Sequence, residues 1–203
     1  MNKPSKRLII LQTFLIFVLP VLLLYFNVVS KSWVFFFLCI GALSIYGIIY
    51  YEKWTHKEMG LRHDNLKKSI PIYLGFTILS VGVLFLLNWQ LDLVSINARN
   101  VLFQKLLLFI PISFFQEFAF RSFLMHRLQL IFKSGFTIIL VNTILFTLIH
   151  IIYPGLDIVL PITFVGGIFF ASLYYKYPNL LLTTLAHSVI NITAVLLGFF
   201  TIQ

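Results

Sequence analysis

The run LIILQTFLIFVLPVLLLYFNV at residues 8–28 lies directly behind Lys3, Lys6 and Arg7, and it decides what kind of protein this is. It contains no Asp, Glu, Lys or Arg over a length that matches the ~20 residues an α-helix needs to cross a bilayer. A secretory leader would have a shorter apolar region and a small-residue cleavage site behind it. This run is too long and no A-x-A-like site follows, so it reads as a retained first span. Six more apolar segments follow near 33–51, 70–88, 101–120, 136–153, 158–175 and 179–200. Between them lie Ser30-Lys31-Ser32, the charged stretch Glu52–Lys68, Asn88–Asn100, Lys133-Ser134-Gly135, Pro154-Gly155 and Tyr177-Pro178-Asn179.

Composition agrees. The chain is 60% hydrophobic and only 10% charged, whereas a soluble domain carries roughly 25% charged residues. Such a chain cannot cover a water-facing surface, so its apolar side chains must face lipid. The expected fold is an all-α, polytopic integral membrane bundle of about seven transmembrane helices. No internal repeat, low-complexity segment or long linker divides residues 1–203, which read as a single transmembrane domain.

The basic residues set the orientation. Three sit in the amino-terminal tail, five in the second connection (Lys53, Lys57, Arg62, Lys67, Lys68), three in the fourth (Arg121, Arg127, Lys133) and one in the sixth (Lys176). The opposite set holds Lys31 and Arg99, and Lys105 falls inside the fourth segment. This bias places the amino terminus and the even-numbered connections in the cytoplasm, and Gln203 outside. The net charge of +9 therefore reads as membrane topology. No basic helix or aromatic-interleaved strand could lie along a nucleic acid backbone, which excludes nucleic acid as a partner. Trp33, Tyr50, Tyr51, Trp54, Trp89, Tyr174 and Tyr175 stand near segment ends, as interfacial anchors do. Cys39, the only cysteine, lies in an apolar run and reads as a small buried hydrophobe.

Of six acidic residues, Glu117 alone falls inside an apolar segment. A charged carboxylate at a span centre costs roughly 3 kcal/mol on insertion scales, so it needs a partner. Arg121, one turn later on the same face, supplies one. His150 ends the fifth segment, with Phe146 and Asn142 each one turn earlier on its face. His187 lies early in the seventh, with Asn191 one turn later. Ionisable groups within spans turn towards the bundle interior, so Glu117, His150 and His187 are expected close together. Such a set can move a proton from water, hold an oxyanion, or bind zinc through Glu117, His150 and His187 with one position open. As isolated features the same residues would serve as a structural ion pair and core histidines.

At these residues the chain resembles the CPBP family of intramembrane proteases, which comprises type II CAAX prenyl endopeptidases and bacteriocin-processing or immunity proteins, also called Abi proteins. Gln116-Glu117-x-x-x-Arg121 resembles its E-E-x-x-x-R motif, Phe146-x-x-x-His150 its F-x-x-x-H, and His187-x-x-x-Asn191 its H-x-x-x-N. The resemblance covers about residues 100–195 as a catalytic core. It implies a glutamate- or metal-dependent endopeptidase in a bacterial cell membrane, cleaving membrane-associated or precursor peptides at a cavity open to the cytoplasm. The implied catalytic set is Gln116, Glu117, Arg121, His150, His187 and Asn191, with zinc as the implied metal. Gln116 stands where the family has its first Glu, and a neutral amide cannot be a general base. Two readings follow: an enzyme working with Glu117 and His150, which every other motif residue favours, or a non-catalytic pseudoprotease or immunity protein that regulates a partner membrane protein. A small transporter with a proton relay is a third, disfavoured by the lack of paired broken helices.

Depth adds an expectation. For Glu117 to lie level with His150, the fourth helix must run on to about Ile131, and Pro111 is the expected bend. Arg127 would then snorkel to the cytoplasmic interface.

Overall fold

The computed structural model describes residues 4–93 and 106–200. Lys3, Arg99, Lys105 and Gln203 lie outside the described residues, as does most of the Asn88–Asn100 connection. Among the described residues there is no strand, and the helices fall into seven runs. The chain is an all-α, multi-pass membrane protein.

The helices are α1 (Lys6–Tyr25), α2 (Lys31–Tyr51), α3 (Leu66–Leu91), α4 (109–131), α5 (Gly135–Ile152), α6 (Leu156–Lys176) and α7 (Leu180–Leu196). Five of them (α1, α2, α3, α5 and α6) are long and apolar enough to cross a bilayer uninterrupted. The other two, α4 and α7, carry Glu117, Arg121 and His187. Ser5 caps α1 by accepting from the Leu8 amide, and Ser134 does the same for α5 through Thr137. A π-helical turn at Phe14–Val18 precedes Pro20, whose ring would otherwise meet the carbonyl four residues back.

α4 is the axis of the bundle. It consists of Phe109–Glu117, a π-helical stretch Phe118–Leu124 and Met125–Ile131. All seven residues of the π stretch are buried, so other elements cover this part of the helix on every side. Phe120 packs edge-on against Phe17 of α1 and Phe146 of α5, with ring centroids 4.9 and 5.3 Å apart. The helix ends at Ile131, as the depth argument requires. Its departure from α geometry falls in the π stretch rather than at Pro111, which sits in the first turn where a missing N–H costs nothing.

One end of the bundle gathers the second connection, the α4–α5 turn and the α6–α7 turn. The Leu180 amide donates to the Gly60 carbonyl at 2.8 Å, and Asn179 Nδ2 donates to the Arg62 carbonyl at 2.9 Å. Gly60 has φ +78°, and a Cβ there would come within 2.0 Å of the Tyr174 hydroxyl, so only glycine lets the connection dock. At the opposite end Lys31 Nζ donates to the Ile152 carbonyl at 2.9 Å, and Asn88 Nδ2 to the Leu197 carbonyl at 2.8 Å. The basic connections therefore share one end and Lys31 marks the other.

Three sequence expectations need correction here. Arg127 does not snorkel: its side chain is 1% exposed and donates to Glu52 Oε1 at 2.7 Å. Trp54 is not a belt residue, because its ring lies 4.1 Å from that of His126 and 5.9 Å from that of Phe123. Tyr174 is buried as well. The cause is common to all three. The second connection folds back over the end of α4 and covers groups that would otherwise meet water.

Candidate active site

Glu117 and Arg121 lie on one face of α4 and are both fully buried. A charge in such surroundings must be matched by others at close range. Glu117 Oε2 faces Arg121 Nε at 3.4 Å, a loose ion pair, while Oε1 lies 2.7 Å from His187 Nδ1. One turn away, Asn191 Nδ2 donates to Ser113 Oγ at 3.2 Å. The antiparallel helices α4 and α7 thus face each other through two polar rungs, Glu117–His187 and Ser113–Asn191.

α5 supplies the third wall. Arg121 Nη1 donates to Asn142 Oδ1 at 3.0 Å, and Asn142 Nδ2 donates to the Phe120 carbonyl at 2.7 Å. That carbonyl also accepts the Met125 amide five residues on, the wide-turn bond of the π stretch. The Arg121 guanidinium stands 4.6 Å over the Phe146 ring, a cation–π contact that helps replace its lost hydration. Gly167 of α6 makes room for this ring: a Cβ there would be 3.2 Å from Phe146 Cδ1 and 3.1 Å from Thr143 Cγ2.

The expected residues assemble unevenly. Glu117, Arg121 and His187 form one contiguous group. His150 is near but separate, because the Phe146 ring lies 5.0 Å from the His150 ring and 5.8 Å from that of His187. His150 Nδ1 sits 2.9 Å from the Phe146 carbonyl. A carbonyl oxygen only accepts, so Nδ1 carries the proton and Nε2 the lone pair. The same holds for His187, whose Nδ1–H donates to the Glu117 carboxylate. Both imidazoles are therefore set in the tautomer that offers Nε2 as a base. Gln116 is 9% exposed, and its Oε1 has no hydrogen-bond partner.

The zinc arrangement does not form. Both Glu117 oxygens face other groups of the site, and among the described residues no three His, Cys, Asp or Glu side chains stand close enough to hold a metal ion. Glu117, His150 and His187 thus do not stand as a ligand tripod in this arrangement.

Sequence reasoning left out Ser113 and gave no role to Asn142 and Phe146. Four-residue spacing was the signal for all three, in the series Ser113, Glu117, Arg121 and in Asn142, Phe146, His150.

Comparison with known families points to the same region. Residues 98–193 match the model of one family, the type II CAAX prenyl endopeptidase Rce1-like family. The match spans just under half of the chain and contains every candidate residue from Gln116 to Asn191. No curated protein and no solved structure matches the chain.

Proposed function

We propose that the chain is an intramembrane endopeptidase of the CAAX prenyl endopeptidase type. The observation that carries this reading is the buried Glu117–His187 hydrogen bond of 2.7 Å within the matched region. Glu117 orients His187 and stabilises its protonated form, as a carboxylate does in a catalytic triad. His187 Nε2 takes a proton from water while the water oxygen bonds to the scissile carbonyl carbon. Asn191 gives one N–H to Ser113 and has a second to offer the oxyanion. The C–N bond then breaks as the proton passes from His187 to the leaving amine. The substrate is a membrane-associated or precursor peptide, or a membrane protein, in a bacterial cell membrane.

Gln116 supports a second reading. It is buried, uncharged and incapable of base chemistry, as expected of a pseudoprotease or immunity protein that regulates a partner membrane protein. Peptide cleavage by the purified protein separates the two. The enzyme reading expects turnover by the wild type and little gain from Gln116→Glu. A silent wild type that gains cleavage with Gln116→Glu would instead identify a lost base and a regulatory role.

The gathered basic connections support a cytoplasmic location for that end. A cysteine replacing Lys57 in a Cys39→Ser background should resist an impermeant thiol reagent in intact cells and react after permeabilisation. Labelling in intact cells would reverse the orientation.

A further inference from the structure

Two ammonium groups converge on one ring at the basic end. Lys68 Nζ, from the first turn of α3, stands 5.6 Å from the centroid of the Tyr177 ring, and Lys176 Nζ, from the last turn of α6, stands 5.7 Å from it. The ring attracts each cation, but the cations repel one another. The backbone around them is fixed. The Tyr73 hydroxyl donates to the Tyr177 carbonyl at 3.0 Å and Asn65 Nδ2 to the Pro178 carbonyl at 2.9 Å, which ties the start of α3 to the α6–α7 turn. Asn65 uses its side chain there and makes no cap bond to α3, whose first turn holds no acidic residue. The positive end of that helix therefore adds to the two lysines.

No acidic side chain answers this charge. The sequence has six acidic residues. Glu52 holds Arg127, Glu58 accepts from Thr55, Glu117 faces Arg121 and His187, and Asp64 binds Arg62 at 2.6 Å and Lys57 at 3.6 Å. Asp92 and Asp157 lie at the opposite ends of α3 and α6. A cation pair held on a fixed aromatic platform without an anion is an arrangement that a phosphate completes.

We infer that Lys68, Lys176 and Tyr177 form a binding site for the headgroup of an anionic phospholipid, a phosphodiester with no compensating cation of its own. The faces of α3 and α6 beside the site are apolar, with Ile70, Leu74 and Phe169 exposed, so it lies at the bilayer edge. Phe76 packs against Phe169 and Phe170 at 6.4 and 4.9 Å, so the two helices adjoin and offer acyl chains a shared surface. A lipid phosphate between the lysines continues into chains lying along that surface, which a free phosphate lacks. A zwitterionic headgroup would bring its own ammonium towards the lysines, so the net charge of the lipid decides the selection. None of the three residues belongs to the Glu117–His187 site, and the inference stands apart from the peptidase reading.

Native mass spectrometry of the purified full chain in a neutral detergent tests this, with dioleoyl phosphatidylglycerol and dioleoyl phosphatidylcholine titrated separately. The first phosphatidylglycerol should bind at least tenfold more tightly than the first phosphatidylcholine. Lys68→Gln with Lys176→Gln should remove that preference, whereas Lys68→Arg with Lys176→Arg should keep it. Lys6→Gln with Lys133→Gln takes the same charge from exposed positions at the same end and should leave the preference intact. Equal affinity of the wild type for the two lipids overturns the inference. So does a preference that survives the Gln pair at Lys68 and Lys176, or an equal loss in the Lys6 and Lys133 variant. Saturable binding of millimolar inorganic phosphate to the lipid-free protein, read by calorimetry, would put a free phosphate in the site and overturn the lipid assignment.

Discussion

Glu117→Gln is expected to lower peptide cleavage by roughly 10³–10⁴-fold, the scale on which a triad carboxylate matters to its histidine. A Gln side chain can still accept one hydrogen bond, but it cannot stabilise the imidazolium that forms when His187 takes a proton. Turned the other way, its amide donates to Nδ1 and forces the proton onto Nε2, which removes the base. The same change leaves the fully buried Arg121 without its anion, and breaking such a pair costs about 3–5 kcal/mol. Lost activity alone would therefore be ambiguous. The double variant Glu117→Gln, Arg121→Gln removes both charges and should recover most of the stability while remaining inactive. Thermal unfolding in detergent alongside a cleavage assay reads both quantities. Cleavage retained within tenfold by the single variant would show that His187 works without its carboxylate and would sink the proposed base.

Arg127→Ala should be among the most damaging changes outside the site, at about 3–5 kcal/mol. The Arg127 guanidinium holds Glu52 at 2.7 Å and stands 4.9 Å over the Phe123 ring, while Trp54 Nε1 donates to the other Glu52 oxygen at 2.9 Å. Burial pushes the Glu52 carboxyl up, yet the hydrogen bonds from Arg127 and Trp54 outweigh it and hold the pKa below the usual value. A carboxylate lowered in the folded state contributes stability above its ordinary pKa and loses it as pH falls through the folded value. Wild-type stability should thus decline in acid below pH ~4.5, and Glu52→Gln should flatten that decline. A double-mutant cycle between Glu52 and Arg127 should give a coupling well above the 0–1 kcal/mol of a surface pair. Coupling within that surface range would mean that the second connection is not held as described.

Much of this molecule was legible in its sequence, for reasons that differ from place to place. The uncharged runs fixed the spans, because lipid tolerates little else. The extension of α4 to Ile131 was readable, because a helix with no Gly or Pro after Arg121 has nothing to stop it. The Glu117–Arg121 pair followed from four-residue spacing alone. What could not be read depended on a connection folding back on the bundle. Arg127 and Trp54 lie at a membrane-facing end in sequence, and only the docking of Gly60 against Leu180 puts a roof over them. The intrusion of Phe146 between two histidines was hidden for a similar reason. Spacing along one helix says which side chains share a face, not how far the opposing helix stands off.

The π stretch of α4 bears on how this chain can vary over time. A π turn holds more residues than an α turn, so losing a single residue from Phe118–Leu124 would let the helix relax to ordinary geometry. Residues beyond Leu124 would then keep their facing relative to Glu117, because one residue fewer completes the same turn. A one-residue deletion between Met125 and Arg127 has no such reserve and would turn the Arg127 side chain by about 100° away from Glu52. Lineages of this protein should therefore accept a one-residue deletion in the π stretch more readily than one in the α-helical turn that follows it.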